Sequence, residues 1–252
     1  MNKNKKSELL GAIVLAAGKG SRMKSKKINK VVLNLGDKPM IVHTINLLSE
    51  LNFGAIVVVV GFAKKSVISV LGNKVYFAEQ RKRLGTAHAV SCAMKVMPEH
   101  VENILVLNGD DSAFYKRSTI EKLLKEHFKN GSSFTLLTIK KDDPTGLGRV
   151  IRDKNNKVRA IVEEKDATAK ERKIKEINPG CYFFTSEFLA KYLSKIKKSE
   201  VTGEYYLTSL INMGIKNNET IDAVKMGKIV WRGVNTKDEL DEAEKLFFTL
   251  EK

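Results

Sequence analysis

The sequence predicts an α/β fold built on a largely parallel sheet, and three observations carry that prediction. Short apolar runs alternate with amphipathic stretches, the rhythm of successive βα units. Val57-Val58-Val59-Val60 is apolar at every position, as a strand covered on both faces must be. The first apolar run, Ala12-Ile13-Val14-Leu15, opens almost directly into the glycine turn Gly18-Lys19-Gly20.

From the N-terminus, strands are expected at 11–16, 55–60, 74–78, 103–107 and 133–139. Each is a short run of β-branched and aliphatic residues bounded by glycine, asparagine or charge. Helices are expected at 39–51, 63–71, 86–96, 117–129, 186–193, 204–215 and 236–249, where apolar residues recur every three or four positions. Pro39 suits the first turn of its helix, where a missing N–H removes no bond. After residue 140 the rhythm changes. Arg149-Val150-Ile151-Arg152 and Val158-Arg159-Ala160-Ile161-Val162 flank Asn155-Asn156, which reads as a hairpin. No Ser/Gly/Pro-rich linker and no repeat divides residues 1–252, so a single domain is expected.

Composition narrows the function classes. With 42% hydrophobic and 29% charged residues, the chain has a globular protein's balance. No segment reaches the roughly 20 consecutive apolar residues of a membrane helix. The basic stretch Met1 to Lys6 precedes only the short run Leu9 to Ala17, which holds the glycine turn, so a cytoplasmic protein without a signal peptide is expected. Cys92 and Cys181 are far apart and read as free thiols. The net charge of +16 is spread over most helices and loops, with no clustering on one element. Runs such as Arg81-Lys82-Arg83 and Lys195-Ile196-Lys197-Lys198 read as solvated faces. The charge attracts anionic substrates but specifies no nucleic acid.

Two clusters carry chemistry. Leu15-Ala16-Ala17-Gly18-Lys19-Gly20-Ser21-Arg22-Met23 puts small residues and glycines at a strand end, where backbone N–H groups can approach a polyanion. Lys19, Arg22 and Lys24 add positive charge there. The Walker pattern fails, because no glycine lies five residues before Gly18, and Met23 occupies the third glycine position of the dinucleotide fingerprint. A nucleoside triphosphate is the polyanion that fits best. The second cluster, Leu105-Val106-Leu107-Asn108-Gly109-Asp110-Asp111, ends another buried strand in two carboxylates. Ligands of open α/β sheets bind beyond such strand ends, so Asp110 is expected beside the first loop as a Mg²⁺ ligand. Capping of the following helix is the other reading of Asp110, and the favoured one for Asp111.

With these residues in place, the chain resembles the sugar-1-phosphate nucleotidyltransferases (sugar-nucleotide pyrophosphorylases), most nearly the uridylyltransferase half of the bifunctional bacterial N-acetylglucosamine-1-phosphate uridylyltransferases. The signature Leu15 to Met23 with Lys30-Val31-Val32 is joined by Leu84-Gly85-Thr86-Ala87-His88-Ala89, Asn108-Gly109-Asp110 and Asp143 to Arg149. Ile161 to Ala167, Glu176-Ile177-Asn178, Gly203 to Thr208 and Gly233-Val234-Asn235 follow in the family's order. The resemblance implies a Rossmann-like nucleotide-diphospho-sugar transferase fold, a mixed, mainly parallel sheet flanked by helices. It also implies a nucleotide-binding half at 1–140, a sugar-binding half at 141–235 and a C-terminal helix at 236–252.

The implied roles follow residue by residue. Leu15, Ala16, Ala17, Gly18, Gly20, Gln80, Gly85 and Thr86 would bind the nucleotide, with Gln80 reading the pyrimidine edge. Arg22 and Lys30 would hold the triphosphate and stabilise charge at the phosphorus under attack. Asp110 and Asn235 would coordinate Mg²⁺, while Gly146, Glu163, Asn178 and Asn235 would bind the sugar. The implied reaction is UTP with N-acetylglucosamine 1-phosphate giving UDP-N-acetylglucosamine and pyrophosphate. Alternatives are another sugar 1-phosphate, or a small phosphorylated alcohol, with UTP, dTTP or CTP. A catalytically silent nucleotide-sugar sensor is the alternative of a different class.

Several positions leave bland readings open. Gln80 could be surface loop, Asn178-Pro179-Gly180 an ordinary turn, and Asn235 part of a helix cap together with Thr236. His43 and His88 are given no chemical role. The chain also departs from the family pattern. The Arg22–Lys30 loop is one residue longer, Asn29 replaces a proline, and Asn108 a tyrosine. Asp111 replaces an apolar residue, Pro179 a threonine and Ser209 an aspartate. The bifunctional relatives continue into an acetyl-transferring, trimerising β-helix. No such repeat occurs in these residues, so neither acetyl transfer nor a trimer is expected of them; a monomer or weak dimer is.

Overall fold

The computed structural model describes residues 9–23 and 27–250. Lys24 and the basic segment Met1 to Lys6 lie outside the described residues, as do the last two residues of the expected C-terminal segment.

Twelve strands occur among the described residues: β1 Leu10–Ala16, β2 Asn34–Leu35, β3 Lys38–Pro39, β4 Ala55–Val60, β5 Tyr76–Glu79, β6 Asn103–Asn108, β7 Phe134–Lys140, β8 Gly148–Arg152, β9 Val158–Val162, β10 Glu176–Asn178, β11 Tyr182–Thr185 and β12 Ile221–Lys225. The α-helices are α1 Met40–Glu50, α2 Lys64–Leu71, α3 Thr86–Met94, α4 Arg117–Asn130, α5 Ser186–Tyr192, α6 Ser209–Lys216 and α7 Lys237–Leu250. All but β2 and β3 join one mixed, mainly parallel sheet in the order β5-β4-β1-β6-β11-β7-β10-β8-β9, with β12 also on β7.

The first four strands of that order run parallel, and alternation along each sends side chains to two opposite layers. Ala12, Val14, Ile56, Val58, Leu105 and Leu107 enter one core, while Ile13, Val57, Val59, Ile104 and Val106 enter the other. This is why these strands are apolar throughout. Register then aligns their carboxyl ends: Leu15 lies beside Val59 on one side and Asn108 on the other. The loops that follow β1, β4 and β6 therefore open on the same crevice.

The second half departs from the expected elements. Strands β10, β11 and β12 were not foreseen, and β11 runs antiparallel between β6 and β7. Its Tyr182-Phe183-Phe184 run is buried: Tyr182 and Phe184 pack on Phe134, Phe184 also on Phe188, and Phe183 packs on His127 in the opposite layer. The helix expected over 204–215 begins only at Ser209. Tyr205 uses its backbone N–H on Leu84 O and its carbonyl on Ala87 N–H, so it cannot join a helix ladder. Pro39 lies just before α1, with ψ of 139°, and pairs with Asn34 instead of entering the helix. Helix α3 stops at Met94, short of the expected end at 96. The hairpin β8–β9 forms around Asn156, which adopts φ of +63°.

One buried group makes the fold sensitive to acid. His127 on α4 is enclosed, with Nδ1 2.9 Å from Thr135 Oγ1 and its ring edge-on to Phe183 at 4.6 Å. Burial disfavours the imidazolium and pushes the pKa down from 6.5 to about 4. As pH falls through that interval the unfolded chain protonates first, so stability is lost as pH drops from 6.5 towards 4. The expected result is a Tm that falls between pH 6.5 and 4.5 in the parent protein and falls less in His127→Gln. Parallel melting curves for the two proteins would contradict this account.

Candidate active site

The crevice beyond the strand ends has two lobes. One, with a cavity of about 420 Å³, is lined by the β1 loop together with Asn29, Lys30, Gln80 and Gly85. The other, about 340 Å³, is lined by Arg22, Gly146, Glu163, Asn178 and Asn235. Leu15, Thr86, Asn108, Asp110 and Glu204 line both, so Asp110 stands where the lobes meet. The structure thus brings together nearly every residue singled out from sequence. Gly20 is the exception among them: it lines neither lobe and packs on the Lys30 side chain, whose Cδ lies 3.3 Å from where a Cβ would be.

At the meeting point, Lys30 Nζ pairs with Asp110 Oδ2, donates to Asn235 Oδ1 at 2.8 Å and to Val234 O at 3.0 Å. Three oxygens from two distant parts of the chain thus converge on a single positive charge. That arrangement fits a Mg²⁺ ion, which takes oxygen ligands including carboxylates and amide carbonyls. The start of α7 frees Asn235 for this contact. Thr236 and Glu239 form the capping box, Thr236 Oγ1 accepting from Glu239 N–H and Glu239 Oε2 from the N–H groups of Asn235 and Thr236.

The β1 loop is shaped by a residue the sequence reading noted only as a departure. Asn29 is buried at 1% exposure, and its amide Nδ2 donates to Ala16 O at 2.8 Å, Phe62 O at 2.9 Å and Gly18 O at 3.3 Å. Ala17 O meanwhile accepts from Phe62 N–H. With these carbonyls turned into the protein, the N–H groups of Gly18, Lys19 and Gly20 make no hydrogen bond among the described residues. Gly18 and Lys19 line the first lobe, where unbonded backbone N–H groups suit phosphate oxygens. A side-chain amide bonded to three carbonyls leaves no spacing signature in sequence.

Gln80 is buried, not a surface loop residue, and its Nε2 donates to Gly85 O and His88 Nδ1, each at 3.0 Å. Gly85 takes φ of +104°, and a Cβ there would lie 2.5 Å from Tyr205 O, so only glycine fits. In the second lobe, Asn178 both closes a turn, accepting from Gly180 N–H at 3.1 Å, and donates to Tyr182 Oη at 2.6 Å. Glu163 accepts from Thr208 Oγ1 at 3.0 Å, and burial raises its carboxyl above the ordinary range. Gly146 is positioned by Glu164, whose Oε2 accepts from Gly146 N–H at 3.1 Å and from buried Arg149 Nη2 at 2.7 Å. Glu164 and Arg149 were not foreseen as supports.

Asp111 corrects its favoured reading. Its side chain caps neither the 3-10 turn Ser112–Phe114 that follows it, which takes only the Asp111 backbone carbonyl on Phe114 N–H, nor α4, which begins after Lys116. Its Oδ2 accepts from Asn108 Nδ2 at 3.1 Å, and Oδ1 is buried without a partner. Burial and the adjacent Asp110 carboxylate raise its pKa well above the usual carboxylate range.

Comparison with known proteins decides the family. A model described as nucleotidyl transferase matches residues 11–247. The chain belongs to the nucleotidyl transferase family. It is 42% identical over 234 residues to the bifunctional protein GlmU of Exiguobacterium sibiricum, covering 92% of this chain and 52% of that protein. The GlmU of Caldicellulosiruptor saccharolyticus is 44% identical over 236 residues, again 92% of this chain and 50% of the relative. The chain therefore spans about half the length of these nucleotidyl transferase relatives. A Bacillus anthracis structure assigned as a glucose-1-phosphate thymidylyltransferase, in complex with sucrose, superposes with a TM-score of 0.79 at 26% identity, covering 94% and 95% of the two chains. No helix among the described residues is long and apolar enough to cross a membrane.

Asn29 supplies a prediction. Asn29→Ala leaves buried carbonyls unpaired, at about 1–3 kcal/mol each, and releases the loop. A lower Tm and an increase of roughly tenfold in the Kd for a nucleoside triphosphate are expected, by melting and calorimetry. Unchanged triphosphate affinity would show that the loop holds its shape without this amide.

Proposed function

We propose that the protein transfers a uridylyl group from UTP to N-acetylglucosamine 1-phosphate, releasing pyrophosphate. The observation that carries this reading is the convergence of Asp110, Asn235 and Lys30 where a nucleotide-sized lobe meets a sugar-sized one. In this reading residues 1–140 serve the nucleotide and 141–235 the sugar, and helix Lys237–Leu250 follows them. The similarity to GlmU proteins supports the choice of substrates.

The reaction joins a phosphate oxygen of the sugar phosphate to the α-phosphorus of UTP, and the bond from that phosphorus to pyrophosphate breaks. The attacking oxygen is already ionised, so no general base is required. The chain's task is to position two polyanions and to offset their repulsion. The amides of Gly18, Lys19 and Gly20 receive phosphate oxygens, and Arg22 and Lys30 place charge beside the reacting phosphorus. Gln80 and Gly85 hold the base beside Thr86. Gly146, Glu163 and Asn178 bind the sugar and its acetamido group. Mg²⁺, held by Asp110 and Asn235, supplies charge neutralisation to the phosphates when bound.

A second reading has its own support. The Bacillus anthracis neighbour is assigned to glucose 1-phosphate and thymidylyl transfer, and Asp111 adds a buried carboxyl to the second lobe. Another sugar 1-phosphate, or dTTP, fits those two observations.

A pyrophosphate-release panel of four nucleoside triphosphates against several sugar 1-phosphates tests the choice directly. UTP with N-acetylglucosamine 1-phosphate is expected to give the highest kcat/KM, at least about tenfold above glucose 1-phosphate, because unpaired polar groups penalise the sugar lacking the acetamide. A preference for glucose 1-phosphate favours the second reading. Asp110→Asn should stay folded and lose roughly a thousandfold in kcat at any Mg²⁺ concentration, the effect of several kcal/mol at the transition state. Near-normal turnover in that variant removes Asp110 from the metal site.

A further inference from the structure

We propose that His88 is a specificity-determining positioning residue, which locks the Gln80 amide so that it presents only its carbonyl oxygen to the base. This rests on the reading above, in which Gln80 meets the pyrimidine edge. The lock follows from donors and acceptors alone. Gly85 O can only accept, so the Gln80 atom 3.0 Å from it must be the amide nitrogen. That nitrogen's second hydrogen points to His88 Nδ1, also at 3.0 Å. Nδ1 must therefore accept, which places the imidazole proton on Nε2. Nε2 lies 4.0 Å from the sulfur of Cys92, one helical turn on, a distance at which sulfur can take a weak N–H bond.

With both N–H bonds committed, the group left to the lobe is Oε1, which accepts no hydrogen bond among the described residues. An edge offering only an acceptor pairs with the imide N3–H of uracil or thymine. Cytosine would bring the N3 lone pair against that oxygen. Selection of an imide base thus depends on a histidine whose role is to hold a second residue in one of two orientations. Gly85 alone secures one N–H. Without the His88 acceptor the other N–H is free, and the amide can turn its donor towards the base.

Binding of UTP and of CTP with Mg²⁺, measured by calorimetry without any sugar phosphate, tests this in the parent protein, His88→Leu and His88→Asn. The asparagine carbonyl restores an acceptor near the Nδ1 position, so this variant should recover most of the discrimination. In His88→Leu the ratio of the UTP and CTP association constants should fall roughly tenfold, and separate turnover assays with sugar phosphate present should show the change in nucleotide KM and little in kcat. Nitrogen-15 NMR of the folded parent protein should show the His88 proton on Nε2. An undiminished ratio in His88→Leu, or a proton on Nδ1, overturns the proposal while leaving Gln80 as the base reader. A parent protein that does not distinguish UTP from CTP overturns both. Should His88→Leu fail to fold, the NMR result and His88→Asn decide the matter.

Discussion

The site depends on one partly buried positive charge. Lys30 Nζ is bonded at once to the end of β6 through Asp110, and to the segment before α7 through Val234 O and Asn235. These partners lie 80, 204 and 205 residues away along the chain. An ammonium is the only donor of its size able to satisfy three such acceptors together. Without it, Asp110 and the two neighbouring oxygens would face one another with nothing to offset their charge. In the proposed reading a cation held by Asp110 and Asn235 would take over these oxygens and offset their charge, leaving Lys30 to face the phosphates. Sequence places Lys30 and Asp110 in separate motifs; only the aligned ends of β1 and β6 bring those motifs into register.

A second constraint acts on the backbone. Carbonyl oxygens at a phosphate loop repel the ligand, so the loop works only if they are turned away. Asn29 achieves this with one side chain that reaches the loop's carbonyls at residues 16 and 18 and that of Phe62 after β4. Its own Oδ1 accepts from Val31 N–H at 3.2 Å, and its backbone N–H donates to Ser66 Oγ at 3.0 Å. A proline in this place, as the family pattern has it, would lack all of these donors. The chain therefore shapes the loop after β1 by side-chain hydrogen bonding, which fits with its longer connection from Arg22 to Lys30.

How much of this was legible in the sequence depends on the kind of signal. Strands β1, β4 and β6 are buried on both faces, so their apolar runs identified them and their ends located the site. Strands β8 and β9 were legible as a hairpin, whereas β10, β11 and β12 are only 3, 4 and 5 residues long and too short to show a period. Gly85, Asp110 and Asn235, which a glycine or a family motif picks out in the sequence, all line the crevice. What escaped were supports acting through hydrogen bonds between residues distant in sequence: Asn29 on the β1 loop, Glu164 and Arg149 on the Gly146 turn, Tyr182 on Asn178. Such bonds depend on tertiary placement and have no fixed spacing. Asp111 escaped for a different reason. Its residue type favours caps, and nothing local reveals that the strand end carries it inward.

The two lobes are joined mechanically by the segment mistaken for a helix. Residues 202–208 run beside the Gly85 turn, with Tyr205 bonded to Leu84 and Ala87, and Leu207 N–H donating to Thr86 Oγ1 at 2.9 Å. The same segment ends at Thr208, which holds Glu163 in the second lobe. Gly85 supplies the carbonyl that orients Gln80, so the partners of Gln80 in one lobe and of Glu163 in the other are set by one stretch of backbone. A helix over these residues would have consumed the N–H and carbonyl of Tyr205 internally and left the Gly85 turn without its neighbour. The irregular conformation is thus a requirement of the site. Because Tyr205 sits where a Cβ at residue 85 would have to go, the segment and the glycine constrain each other. Displacement of either carries over to both lobes.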